Sequence, residues 1–212
     1  MILAVLGDIH GNTPALKAVL EDIESIGILS IFHTGDCVCG QLGSKNVIDL
    51  LKEYNVIGVQ GEWDHRLVRY IRKRKTQAKK LSEVELEWLE QAYQECGSGY
   101  IEFLGSLPRT YKTTIDGIDI AICHGTINSQ RESLGAGDED HKFNRQRELE
   151  PARIIVTGRT HEAFEKRLGD TLFVNPGSVG MNDDGLARYA IISTEQQPWS
   201  VEFKSLPYYR KY

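Results

Sequence analysis

Met1-Ile-Leu-Ala-Val-Leu-Gly-Asp-Ile-His-Gly-Asn12 sets the frame for everything that follows in the chain. Ile2 to Leu6 are apolar without interruption, the pattern of a strand covered on both faces. Gly7 and Gly11 then let the backbone bend away from the sheet, with Asp8 and His10 leaving the strand's carboxyl end. A carboxylate and an imidazole two residues apart in extended chain can point to one side and share a divalent cation. An isolated Asp-x-His pair is a weak motif, so its meaning depends on the rest of the sequence.

Thr13-Pro14 reads as a helix start, a capping hydroxyl followed by proline in the first turn. Leu16, Val19, Leu20, Ile23 and Ile26 then recur at helical spacing as far as Gly27. Ile28 to Phe32 is a second buried strand, ending in His33-Thr-Gly-Asp36. Strand, helix and strand in this order imply a right-handed parallel crossover. That sets Asp36 beside Asp8 and His10, because in such sheets sites gather at the carboxyl ends of the strands. A helix over 45–54 and a strand over 56–59 lead to a third loop, Gly61-Glu-Trp-Asp-His65.

Residues 66–108 read as a helical insertion. Eight of the residues in 66–80 are Lys or Arg. Ser82 and Glu85 form a capping-box pattern, flanked by Leu81 and Leu86 as a hydrophobic staple, and start an acidic helix to about Glu95. Either the two oppositely charged helices lie exposed and complement each other, or the basic one borders the site and attracts a phosphorylated substrate. Beyond Pro108 the period becomes two. A hairpin of 110–115 and 118–123 turns at Asp116-Gly117 and delivers His124-Gly125. A long polar segment, 126–152, carries a short helix and leads to a strand over 153–156 that ends in Gly158-Arg-Thr-His161. A hairpin turning at Gly169-Asp170, a tight loop from Asn175 to Gly180 and strands over 186–193 and 199–204 complete the reading.

With 41% hydrophobic and 26% charged residues, the composition suits one domain over 1–212 with a sizeable core, and excludes a disordered chain. The net charge of -5 gives no global attraction to nucleic acid or to an anionic membrane. The first apolar run is too short for a signal-peptide core and no segment approaches a membrane span, so a cytoplasmic location is expected. Cys37, Cys39, Cys96 and Cys123 lack metal-ligand spacing and read as buried thiols.

The polar clusters Asp8/His10, Asp36, Glu62, His124 and Arg159/His161 each follow an apolar strand. That recurrence points to a single metal site built from loops on a rigid sheet. In their order they resemble the calcineurin-like metallophosphoesterases, of the small single-domain bacterial and archaeal type. The family's run is Asp-x-His, Gly-Asp, Gly-Asn-His-Asp/Glu, His-Gly and Gly-His-x-His. It is matched here by Asp8-x-His10, Gly35-Asp36, Gly61-Glu62-Trp63-Asp64, His124-Gly125 and Gly158-Arg159-Thr160-His161.

The resemblance covers nearly the whole chain and implies an α/β fold, a four-layer αββα sandwich of two mixed sheets flanked by helices. It assigns Asp8, His10, Asp36 and His161 to one metal, with Asp36 bridging to a second. The second metal's other ligands correspond to Glu62, His124 and Arg159. Two of these depart from the family, Glu62 replacing Asn and Arg159 replacing His, and arginine has no lone pair to donate. The family's third-motif His is Trp63 here, leaving His65, two residues on, as the candidate acid. The two swaps cancel in charge, and a carboxylate and a guanidinium in one pocket tend to pair.

The expectation is therefore one tightly held divalent metal (Mn, Fe, Zn or Ni) and a second site that is weak or absent, with Arg159 in its region. The rival arrangement keeps Glu62 as ligand to a loosely held second metal. The activity implied is hydrolysis of a phosphorylated small molecule or phosphodiester by metal-activated water, with Asp36, His124 and Arg159 in the catalytic group. The competing function is a catalytically weak member used as a binding module, as in the retromer small subunit. Nucleic-acid binding by residues 66–80 is disfavoured by the acidic whole.

Overall fold

β1 (Ile2–Leu6) faces two different cores. Leu3 and Val5 point into an apolar layer between two sheets, while Ala4 and Leu6 point beneath a layer of helices. The structure, a computed structural model, describes residues 1–208. β1 runs parallel to β2 (Ile31–His33), which is parallel to β3 (Ile57–Gly58). On its other side β1 is antiparallel to β9 (Leu186–Ser193), which pairs with β10 (Ser200–Pro207) at the edge. In the second five-stranded sheet β5 (Ile118–Cys123), β6 (Ile154–Val156) and β8 (Thr171–Asn175) are parallel. The antiparallel edge strands are β4 (Thr110–Ile115) and β7 (Phe164–Leu168).

Between the sheets, Leu3, Val5 and Ile192 meet Ile122, Val156 and Val174. Each such burial stabilises by about 1.5–3 kcal/mol relative to exposure. The outer face of the first sheet is covered by α1 (Thr13–Ser25), α2 (Ser44–Glu53) and α5 (Glu83–Ser106), which share one apolar cluster. Phe143 of α6 (Asp140–Leu149) packs with Ala121, Ile155 and Phe173 on the outer face of the second. This is the α/β four-layer sandwich of two mixed sheets that the resemblance implies. Among the described residues, no helix is long and apolar enough to cross a membrane.

Local differences from the sequence reading have identifiable causes. Asn12, not Thr13, caps α1: its side-chain oxygen accepts the Ala15 N–H at 3.2 Å while its amide donates to the Gly180 carbonyl at 2.9 Å. The basic stretch is broken into α3 (Glu62–Val68) and α4 (Tyr70–Gln77). α3 begins inside the expected third loop because the Asp64 carboxylate accepts the Gly61 N–H at 2.9 Å. α5 starts at the Ser82/Glu85 capping box and continues past Glu95 to Ser106, with a non-helical break at Gly97 (φ 61°, ψ -177°). Asp116 and Gly117 both have positive φ, 52° and 75°, the turn geometry that matches strand twist. All four cysteines are free and buried.

His33, at the end of β2, is packed so closely on β3 that a Cβ at Gly58 would lie 2.0 Å from its ring. Its Nδ1 accepts the Gly35 N–H at 3.1 Å. Burial, and then the neighbouring His124, pull its pKa down to about 4. The unfolded chain takes up this proton near pH 6.5 and the folded one does not, so the residue's contribution to stability is lost as pH falls from about 6.5 to 4. The loss amounts to about 3 kcal/mol across the window. Urea unfolding of the metal-free protein at pH 7.5 and 4.5 should show a smaller pH penalty for His33→Gln than for the natural chain. An equal penalty in both would mean that His33 is not the group responsible.

Candidate metal centre

The ends of β1, β2, β5 and β6 meet at one edge of the two sheets, and each contributes to one cluster. Ligand atoms of Asp8, His10 and His161 lie within 4.8 Å of one another, as do those of Asp8, Asp36 and His124. His161 Nε2 is 3.3 Å from His10 Nε2 and 3.4 Å from Asp8 Oδ1. His124 Nε2 lies 3.2 Å, and His10 Nε2 3.9 Å, from Asp36 Oδ2. Asp8 is common to both groups, and Asp36 Oδ2 faces both His10 and His124.

The loops that hold these side chains are strained. Asp8, His10, Asp36, Arg159 and His161 all have φ between 48° and 70°. Each such non-glycine residue costs on the order of 1 kcal/mol or more, and persists only where surrounding bonds overdetermine it. Here the Ile9 and His10 N–H groups both donate to the Asp36 carbonyl at 2.9 Å. The Asp8 carbonyl accepts from the Ser178 hydroxyl at 2.8 Å and from the Gly180 N–H at 3.1 Å. A side chain at Gly180 would collide with the Ile9 carbonyl, its Cβ 1.7 Å away. The loop from Asn175 to Gly180 therefore clamps the first motif.

The imidazoles are oriented for coordination. Backbone carbonyls of Cys39 and Thr34 lie 2.9 Å and 3.0 Å from Nδ1 of His10 and His124, which places the proton on Nδ1 and leaves the Nε2 lone pair free. His124 Nε2 is buried 3.2 Å from the Asp36 carboxylate, without hydrogen-bonding geometry to it. Ligand edges of 3.3 and 3.4 Å match the roughly 3.4 Å separation of tetrahedral ligands about 2.1 Å from a cation. Carboxylates and imidazoles on these edges fit a divalent transition metal.

Without a metal, the carboxylates of the cluster draw protons onto His124 and His161, positive charge that a bound cation would replace. Burial opposes charge on His124, yet the Asp36, Asp8 and Asp64 carboxylates outweigh it and raise its pKa to about 9. Burial likewise opposes charge on Asp36, but His124, His10 and the Trp63 N–H bring its pKa down to about 2. In His161 burial is again outweighed, by Asp8 and Asp36, and the pKa rises. Burial pulls the pKa of His10 down.

Glu62 and Arg159 stand apart from the ligand groups. Arg159 Nη1 donates to Glu62 Oε2 at 2.6 Å, and its backbone N–H donates to Asp8 Oδ2 at 3.0 Å. Arg66 Nη2 reaches Glu62 Oε1 at 2.5 Å, and Arg131 Nε is 3.5 Å from the same oxygen. One carboxylate therefore faces three guanidinium groups, two of which the sequence reading did not connect with it. Asp64, quoted in the third motif without a role, accepts the Gly61 and Cys37 N–H groups at 2.9 Å each and locks the second and third loops together. Burial, and then Asp36, push its pKa up to about 7.

The cluster opens into a cavity of about 340 Å³ rimmed by Trp63, Ser133, Arg159, Thr160 and Met181. His65 is not on that rim; it bonds Gln60 and Arg69 and lines a separate basic cavity. The most spacious cavity, about 590 Å³, lies between Leu42 and the helices α4 and α5 and holds none of the motif residues. Its volume carries no chemistry, so the smaller mouth is the relevant one.

The chain is similar to several known proteins. An uncharacterised protein of Methanocaldococcus jannaschii is 25% identical over 98% of this chain and 88% of its own length. A hypothetical protein from Pyrococcus horikoshii superposes with a TM-score of 0.88 at 20% identity, covering 99% of this chain and 89% of that one. A metallophosphoesterase from Sphaerobacter thermophilus gives 0.74 at 22% identity, with coverage of 99% and 89%. The sequence model of the calcineurin-like phosphoesterase superfamily domain matches residues 1–197, and the chain belongs to that superfamily.

Proposed function

We propose that the protein hydrolyses a phosphate ester using one divalent transition metal held by Asp8, His10, Asp36 and His161. In this reading the Glu62–Arg159 pair takes the place of a second metal. The observation that supports it is the 2.6 Å contact of Arg159, on the rim of the mouth, with Glu62, beside the grouped ligand atoms of Asp8, His10 and His161. When bound, the metal supplies Lewis acidity, lowering the pKa of a water and polarising a phosphoryl oxygen.

The chain's own residues do the rest. Arg159 is held by its backbone on Asp8 and by its guanidinium on Glu62, with the remaining N–H groups available to phosphoryl oxygens. A guanidinium fixed in this way stabilises charge that develops on those oxygens without reorganising. His124 has no exposure and does not line the mouth, so it supports Asp36 and the metal rather than touching substrate. Trp63 and Met181 exclude water from the rim, and Ser133 and Thr160 offer hydroxyls to the ester.

Elemental analysis of protein purified after Mn²⁺ loading should find about one tightly held metal per chain, as for a single closed ligand set. Asp8→Ala should abolish it, since Asp8 serves both ligand groups. Two equally tight metals would defeat the single-metal arrangement. Hydrolysis of p-nitrophenyl phosphate and bis-p-nitrophenyl phosphate with Mn²⁺ tests the activity itself. No turnover of either ester would favour the binding-module reading.

Arg159→Gln should keep the metal but lower kcat on the order of a hundredfold, the usual loss when one preorganised donor to a transition-state oxygen is removed. An unchanged kcat would place Arg159 outside the chemistry.

A further inference from the structure

Glu62 joins arginines that line two different cavities. Its Oε2 is held from the side of the metal mouth by Arg159. Its Oε1 is held by Arg66 and Arg131, which line a second cavity of about 160 Å³ formed with α3 and α4. Arg69, Lys73 and Lys80 also line that cavity, and no carboxylate does. We infer that this cavity is a second anion subsite, which takes the distal phosphate of a small substrate bearing two phosphate groups while the first lies at the metal centre. The inference rests on the phosphoesterase reading for what happens at the first phosphate.

Three observations converge on it. The five cations are undercompensated: Arg69, Lys73 and Lys80 form no ion pair among the described residues, and the single charge of Glu62 is divided among three guanidiniums. Like charges gathered in a concave, partly desolvated site repel one another until an anion enters, which is the arrangement that focuses and binds phosphate.

The cavity also holds unused hydrogen-bonding capacity. Arg66 Nε is buried with no partner among the described residues, as is the side-chain oxygen of Gln77, whose amide nitrogen donates to the Arg66 carbonyl at 2.9 Å. A buried guanidinium N–H left open beside a pocket of cations is a donor for an anionic oxygen. The Gln77 oxygen is an acceptor for a hydroxyl on the same ligand.

Dimensions set the class of ligand. The cavity has room for about five waters, the bulk of one tetrahedral phosphate and its nearest carbon. The guanidiniums of Arg159, on the mouth, and Arg66, on this cavity, meet on the one carboxylate of Glu62, so two phosphates that they hold are joined by a short linker. The local field is already felt by His65 on the cavity wall: burial, and then Arg69, Arg109, Arg131 and Arg66, lower its pKa.

Binding is read first by calorimetry on the metal-free full chain, with 1,3-propanediol bisphosphate against n-propyl phosphate. The bisphosphate should bind on the order of tenfold more tightly, and a six-carbon bisphosphate should lose that advantage. Arg69→Gln with Lys73→Gln should bring the two three-carbon ligands within about twofold. Lys73→Gln with Lys80→Gln, both at exposed positions, repeats the test without touching a half-buried side chain. With Mn²⁺, the bisphosphate's advantage should appear mainly in KM, because a distal phosphate that does not react contributes equally to ground and transition states. Equal binding of mono- and bisphosphate by the natural chain, or a preference that survives both double variants, overturns the subsite. Loss of turnover for every ester alongside a retained, variant-sensitive bisphosphate preference overturns the phosphoesterase reading and leaves the subsite standing.

Discussion

A carboxylate cut off from water must be paired or ligated, because the cost of leaving it bare is larger than most folded chains can absorb. Asp8 has no exposed surface, and much of the molecule is arranged around that fact. It leaves the end of a strand in the first sheet, yet its neighbours His124, Arg159 and His161 follow strands of the second. Packing the sheets face to face brings those strand ends to one edge, and Asp8 sits where they meet. Its carbonyl is held in turn by Ser178 and Gly180, from the loop that returns the chain to the first sheet. The left-handed backbone at Asp8, His10 and Asp36 survives because so many bonds bear on the same few residues.

The Glu62–Arg159 pair follows a different electrostatic logic. A bound cation can dissociate, whereas a guanidinium is a permanent charge built into the chain. Arg159 supplies such a charge, and Glu62 fixes its direction. The carboxylate does not serve Arg159 alone, since Arg66 and Arg131 lean on the same group from the other side. Three cations on one anion leave a positive surplus beside the mouth. In the proposed reading that surplus makes the basic segment part of the site's surroundings and not merely a solvated face. Removing one member of a buried charged group leaves the others uncompensated, so in the proposed reading the arginines of the mouth and of the basic cavity depend on one another through Glu62.

The buried histidines divide the work. His10 and His124 are aimed by carbonyls on their Nδ1 side, which frees Nε2 for a ligand. His33 sits three residues before Asp36 with its ring against Gly58, and its burial there, and then the neighbouring His124, keep it neutral. Three imidazoles with the same intrinsic chemistry thus carry different protons because their neighbours differ.

The sequence by itself determined the strand ends, the polar clusters that follow them, the Asp116-Gly117 turn and the Ser82/Glu85 capping box. These are short-range features, fixed by periodicity and by which residues tolerate a given φ, and they need no knowledge of distant contacts. The motif order carried the fold class, since five ordered strand-end clusters are far more restrictive than any one. Only the tertiary structure decided that Asn12 rather than Thr13 caps α1, because the choice depends on Gly180, far away in sequence. It also decided that Asp8 joins the two ligand groups, that Asp64 ties two loops together, that His124 lies beneath the mouth and that Glu62 gathers three arginines. Spacing along a chain tells which strand end a side chain leaves from. Where φ turns positive, as at Asp8, His10, Asp36, Arg159 and His161, the direction it takes is set by the bonds that hold the loop, and those come from other strand ends and from the loop over 175–180.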